Sequence, residues 1–183
     1  GLRVDSVFID AQKYYNLTNW KESGYSVFYP EFERQIMGTQ ILTNPRFRFF
    51  NWAAQTGIGV SLGSDIDSRF AYVLSQRAPN SSELFSDGLH HSIAALEYGN
   101  LILRNETSHK ILMSISRRTK NFSLSLEPYF LKVFDYIFIE PTALEQTIRG
   151  AFPVWRYRST DAFFAGLDFN SNLTISKYLN IDM

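Results

Sequence analysis

Apolar and polar side chains trade places at every second residue along most of this chain. In the segment Phe122 to Phe138, one face carries Phe122, Leu124, Leu126, Phe130, Phe134 and Tyr136. The other carries Ser123, Ser125, Glu127, Tyr129 and Asp135, mixed with Leu131 and Val133. A period of two predicts a strand with unlike faces. At about 3.3 Å per residue it reaches roughly 55 Å, more than a tilted crossing of a hydrocarbon core about 30 Å thick requires. Arg46 to Leu62 repeats the pattern, with Phe50, Trp52, Ala54, Ile58, Val60 and Leu62 against Asn51, Gln55, Gly57, Gly59 and Ser61.

The same period predicts strands at Ser68 to Arg77, Glu106 to Arg117, Arg156 to Phe169 and Leu2 to Tyr15, and a last one near Thr174 to Asn180. Helical spacing is confined to Ser81–Ser86, where Asn80-Ser81-Ser82-Glu83 reads as a cap ahead of Leu84 and Phe85. The connections alternate in length. Tight turns are expected at 63–66 and 118–121, and long loops rich in Gly, Pro, Asn and aromatics at 16–44, 78–103 and 139–154. Short turns at one end and long loops at the other are the asymmetry of an outer-membrane barrel. Tyr14, Tyr15, Trp52, Tyr136, Trp155 and Tyr157 fall near strand ends, where Trp and Tyr collect at membrane interfaces. Alternation is also compatible with a soluble antiparallel sandwich, because a lipid face and a core face read alike.

Composition narrows the choice. Over 183 residues the chain is 45% apolar and 16% aromatic, too rich in both for a disordered segment. Lys plus Arg equals Asp plus Glu at 18 each, so no basic field points to nucleic acid. The absence of Cys removes disulfides, thiolate metal sites and a Cys nucleophile. No stretch reaches the 18 or so apolar residues of a spanning helix, which is silent about strands. No catalytic constellation is present. His90, His91 and His109 lack the spacing of a zinc site, and Glu97 with Glu106 fits rim salt bridging. Gly57-x-Gly59 lies inside a strand, so it is not a nucleotide loop. Five Asn-x-Ser/Thr sequons, at Asn16, Asn80, Asn105, Asn121 and Asn172, read as chance in an Asn- and Ser-rich barrel.

Four segments in order carry a further signal: RAPNSSELFSDGLHHS (77–92), LEYGNLILRNETS (96–108), LEPYFLKVFDYIFIEPT (126–142) and TIRGAFPVWRYRSTDAFFAGLDF (147–169). Together they resemble the C-terminal half of the β-barrel of TonB-dependent outer-membrane receptors of the Bacteroidetes type. The match runs over about residues 45–172. It departs from the family where Leu101 and Asn105 stand in place of prolines. The resemblance implies an all-β chain: an antiparallel, up-and-down transmembrane β-barrel segment of about six or seven strands from a 22-stranded barrel. All of 1–183 would be partial barrel, without the plug domain and TonB box. A barrel of 22 strands would leave only about 8 residues per strand here, so the chain is expected to be a fragment.

The resemblance also implies a function: active uptake, at a Gram-negative outer membrane, of a scarce nutrient such as a ferric siderophore, cobalamin or other chelate. The implied partners are outer-membrane lipid, TonB through the plug, and a small-molecule or metal-chelate ligand. No enzyme activity, cofactor, metal or nucleic acid is expected. Arg77, Arg149, Arg156 and Trp155 near the loop bases, with His90 and His91 in a loop, are the candidate ligand-binding residues. Cations and aromatics there could hold an anionic chelate, or merely anchor strand ends among headgroups. The rival readings are a secreted β-sandwich or carbohydrate-binding module, and a small passive porin or adhesin barrel of eight strands.

Overall fold

A computed structural model of the chain describes residues 1–176 and 179–183. Its strands are β1 (Leu2–Asp10), β2 (Lys13–Asn16), β3 (Glu33–Met37), β4 (Gln40–Thr43), β5 (Arg46–Leu62), β6 (Ile66–Arg77), β7 (Asp87–His90), β8 (Ala95–Tyr98), β9 (Glu106–Arg118), β10 (Phe122–Thr147), β11 (Gly150–Ser176) and β12 (Leu179–Asp182). Among the described residues three short α-helices lie between them, α1 (Leu17–Glu22), α2 (Tyr25–Phe28) and α3 (Ser81–Phe85), with a 3-10 turn at Pro30–Phe32.

The long strands form one antiparallel meander in the order β1-β5-β6-β9-β10-β11, with β12 beginning a further antiparallel pairing on β11. This is an up-and-down β-barrel segment. The turns after β5 and β9 are tight, and the loops after β1 and β6 are long, as the alternation predicts. Register keeps like with like: Ile58 sits beside Phe70, and Phe70 beside Met113. Leu126 pairs Ile115 on one side and Phe169 on the other. Their face is bare. Ile58, Val60, Leu62, Ile115, Phe163 and Leu167 are all exposed, and among the described residues no second sheet lies against them, as one would in a sandwich. The opposite face is polar, and hollows of about 730, 510 and 320 Å³ lie along it. Gly166 lets the Tyr129 ring lie flat there, since a Cβ at that position would collide with the ring.

The structure corrects the sequence expectation at three places. Residues 139–154 are not a loop: β10 and β11 continue paired up to Thr147 and Gly150 and form one tall hairpin. Pro141 is tolerated because β9 stops pairing at Thr107, so the upper part of β10 is an edge with no ladder bond to lose on that side. A register shift between Val133 and Tyr136, with Asp135 in the left-handed region (φ 54), re-aims the strand there. Second, Leu2 to Tyr15 is two strands, broken at 11–12. Tyr15 is buried rather than interfacial. Third, the expected strand Thr174 to Asn180 divides between the end of β11 and the start of β12; residues 177 and 178 lie outside the described residues.

Most of the buried side chains sit at the long-loop end. Tyr15, Trp20, Tyr25, Phe32, Ile41, Leu84, Leu101, Leu103 and Ile137 form one cluster, with Phe47 and Phe49 packed on it. By alternation Phe47 and Phe49 share the face of Asn51 and Gln55, so the loops fold in over the polar face as a cap. Within the cap β2, β4 and β3 make a small antiparallel sheet. Asn16 caps α1 through hydrogen bonds to Thr18 and Asn19.

Candidate functional site

The loop joining β6 to β9 is fixed by one charged knot. Arg77, at the top of β6, donates to both carboxylate oxygens of Glu83 at 3.1 and 2.9 Å, and also to Glu106 across the strand pair. Glu83 accepts from the Asn80 amide while Asn80 caps the Glu83 amide, a reciprocal capping box. Glu106 in turn accepts from the Ile137 amide at 3.1 Å. Gly99 passes so close that a Cβ would lie 2.5 Å from the Leu84 carbonyl. Asn105 donates to the Phe50 carbonyl and to Asn51, both at 2.8 Å, and closes the loop's exit. The Arg-Ala-Pro, Glu-Leu-Phe, Gly-Asn and Glu-Thr-Ser stretches are therefore the parts of one latch.

From that latch the chain crosses to the far side of β11. There β7 and β8 form a hairpin, and β8 pairs parallel to β11, setting Leu96 beside Val154, Glu97 beside Trp155 and Tyr98 beside Arg156. The Arg156 guanidinium lies over the Tyr98 ring, 4.7 Å from its centroid. These two residues, with Tyr15, Trp20, Tyr25 and Asp87, line a hollow of about 110 Å³ in the cap. Lys13 reaches Asp87 at 3.5 Å and donates to the Phe85 carbonyl. Burial pulls the Lys13 ammonium below its ordinary range, with Asp87 opposing the shift. Burial also pushes the Tyr15, Tyr25 and Tyr98 phenols upward. Tyr25 accepts from the Leu101 amide at 3.2 Å, and Tyr29 donates to the Leu101 carbonyl at 2.9 Å.

The six expected ligand-binding residues are therefore placed as follows. His90, His91, Trp155 and Arg156 belong to one assembly, the β7–β8 hairpin laid along β11. His90 and His91 are exposed at its tip, with His90 Nδ1 3.0 Å from Ser92 Oγ. Arg149 stands apart, exposed at the tip of the β10–β11 hairpin rather than at a loop base. Arg77 has both arms of its guanidinium committed to Glu83 and Glu106. Tyr98, the partner of Arg156, is absent from the residues expected on sequence; no local pattern announces a parallel pairing 58 residues apart. The Asn80…Glu83 capping pattern was the available sign of the latch.

No family model matches the chain, and no curated protein matches it. Solved structures do. The chain is similar to the siderophore receptor PirA from Pseudomonas aeruginosa, with a TM-score of 0.61 and 18% identity over 77% of this chain and 30% of that one. The chain shares the fold of part of that receptor. The same receptor-barrel fold is found in a double mutant of the Serratia marcescens hemophore receptor HasR, solved with its hemophore HasA and heme. There the TM-score is 0.58 and the identity 17%, over 93% of this chain and 28% of that one. The siderophore receptor PirA from Acinetobacter baumannii gives 0.50 and 15%, over 96% and 26%. The chain spans less than a third of the length of each of these receptors.

Proposed function

We propose that this chain is part of the barrel wall of an outer-membrane receptor that takes up a scarce nutrient chelate, such as a ferric siderophore, heme or cobalamin. The observation that carries the reading is the pairing of a bare apolar face with a folded cap. Outward Phe, Ile and Leu side chains fit lipid, while the loops close one end over the polar face. Such a cap suits a gated receptor rather than an open passive pore. The wall does no bond chemistry. In this reading the whole protein draws energy through TonB acting on a plug, and the ligand meets the cap first. Arg156, Trp155, His90, His91 and Arg149 are the proposed contacts, and Arg77 holds the loop that presents the two histidines.

Cells with and without the gene, supplied with radio-iron-loaded catecholate and hydroxamate chelates, heme or labelled cobalamin, provide the test. Gene-dependent uptake that stops when the inner membrane is de-energised is the expected result. Gene-dependent uptake that persists after de-energising would make the protein a passive pore, and no uptake of any probe would overturn the reading.

A further inference from the structure

Residues of α1, of the β7–β8 hairpin and of β11 line the hollow of about 110 Å³ in the cap, together with the buried Tyr15 and Tyr25. At about 30 Å³ for a water-sized group, it has room for one small functional group and not for a whole chelate. Its donors are left open by the fold. The Tyr15 hydroxyl is buried without a partner, which costs stability unless something accepts its proton. The Tyr25 hydroxyl accepts from the Leu101 amide at 3.2 Å and keeps its own proton to give. Arg156 lies over the Tyr98 ring, and no ion pair holds it among the described residues. The other two donors of the lining are engaged: the Trp20 N–H bonds Glu33 at 2.8 Å, and the Tyr98 hydroxyl is directed at Glu145 at 3.4 Å. Burial keeps the Tyr15 and Tyr25 phenols in their neutral, proton-bearing form.

The charges around the hollow select the occupant. Lys13 pairs with Asp87 at 3.5 Å, and Arg156 shares the lining with the exposed Glu22. A carboxylate entering there meets two acids and an ammonium meets two cations, so either ion loses its hydration without a surplus of opposite charge. An uncharged dipolar group avoids both penalties. A carbonyl oxygen brings two lone pairs and no proton to place among the donors, which a hydroxyl must. We infer that the hollow receives an uncharged amide of the ligand, its carbonyl oxygen accepting from the Tyr15 and Tyr25 hydroxyls. This rests on the receptor reading and narrows it. Heme presents carboxylates at its edge, whereas cobalamin and amide-linked siderophores carry an arm of the required kind.

The test uses the protein extracted from outer membranes in mild detergent at its native length, with N-methylacetamide, acetate, methylammonium and 2-propanol as probes in saturation-transfer NMR. N-Methylacetamide should give a saturable signal, and the other three should bind at least fivefold more weakly. Tyr15→Phe keeps the ring and removes the donor. It should weaken N-methylacetamide at least fivefold while the denaturation midpoint holds or rises, a combination that a merely structural hydroxyl would not give. No saturable N-methylacetamide signal, another probe binding as well, unchanged binding in Tyr15→Phe, or a midpoint that falls in that variant overturns the site. N-Methylacetamide binding in a protein that takes up none of the chelates would leave the site standing and remove the receptor reading. Chelate uptake without N-methylacetamide binding would do the reverse.

Discussion

Tyr15 buries its ring against Trp20, 5.2 Å between centroids, beneath the Lys13 ammonium. Its hydroxyl has no hydrogen-bond partner among the described residues. A buried donor left unpaired costs about 1–3 kcal/mol, so Tyr15→Phe should stabilise the protein, by about 1 kcal/mol once local relaxation is allowed for. A chemical denaturation midpoint that falls in Tyr15→Phe would show that the hydroxyl is satisfied. Arg77 makes the opposite case. Arg77→Met leaves Glu83 and Glu106, both buried, facing each other without a cation. Removing one partner of a buried pair costs about 3–5 kcal/mol. Because half of the Arg77 side chain is exposed, about 2 kcal/mol is the better expectation. Arg77→Lys should recover only part of it, since an ammonium cannot serve two carboxylates through a fork. Protease cleavage within 78–103 that is no faster in Arg77→Met than in the parent protein would mean that the charged knot does not hold the loop.

The cap as an element has a pH limit set by its tyrosines. Burial raises the phenols of Tyr15, Tyr25, Tyr29 and Tyr98 above the ordinary 10.0. Below pH 10 they are neutral whether the cap is folded or open, and their packing is fully available. Above it the open state ionises and the folded state does not, so stability falls as pH climbs toward the raised values. Lys13 acts with the opposite sign, because its lowered value favours the folded cap as pH approaches 10.5 from below. The expected result is a cap that holds to about pH 10 and then opens cooperatively, read as a sharp rise in tyrosinate absorbance together with proteolysis of 16–44. A smooth titration centred near 10 would mean that the phenols are already solvated. The elements themselves were legible unevenly, for physical reasons. Strand β5 matches its expected range at both ends and β10 at its start, because one face of each carries a long apolar run, interrupted by Thr56 in β5 and by Lys132 in β10. The top of the β10–β11 hairpin was not legible, because Pro141 and Pro153 read as loop punctuation. Only an unpaired edge, a property of the sheet rather than of the segment, tolerates Pro141. The cap was invisible for a related reason: Trp20, Tyr25 and Phe32 follow no period, and their packing joins segments far apart in sequence.

Across the whole molecule, the two faces of the sheet should respond to a charge in opposite ways. On β9 the outward run Ile111, Met113 and Ile115 lies between His109 and Arg117, eight residues apart. At about 3.3 Å per residue and a tilt near 40°, that is a band roughly 20 Å tall, suited to a bacterial outer membrane, which is thinner than average. His109 bonds the Tyr72 hydroxyl at 2.7 Å, and on the same face Lys132 pairs with Asp161 at 3.2 Å. Polar groups thus appear where the band ends, at the level where headgroups can receive them. Met113 is the middle of the band, level with Phe70 in the register. Met113→Lys should therefore cost about 2–4 kcal/mol in lipid vesicles. Ser114→Lys, one residue along and turned into the hollows, should change stability by no more than about 0.5 kcal/mol. Reversible denaturant unfolding of the protein in vesicles measures both. Equal costs at the two positions would mean that water, not acyl chain, bathes the outward face, and the membrane reading would fail with it.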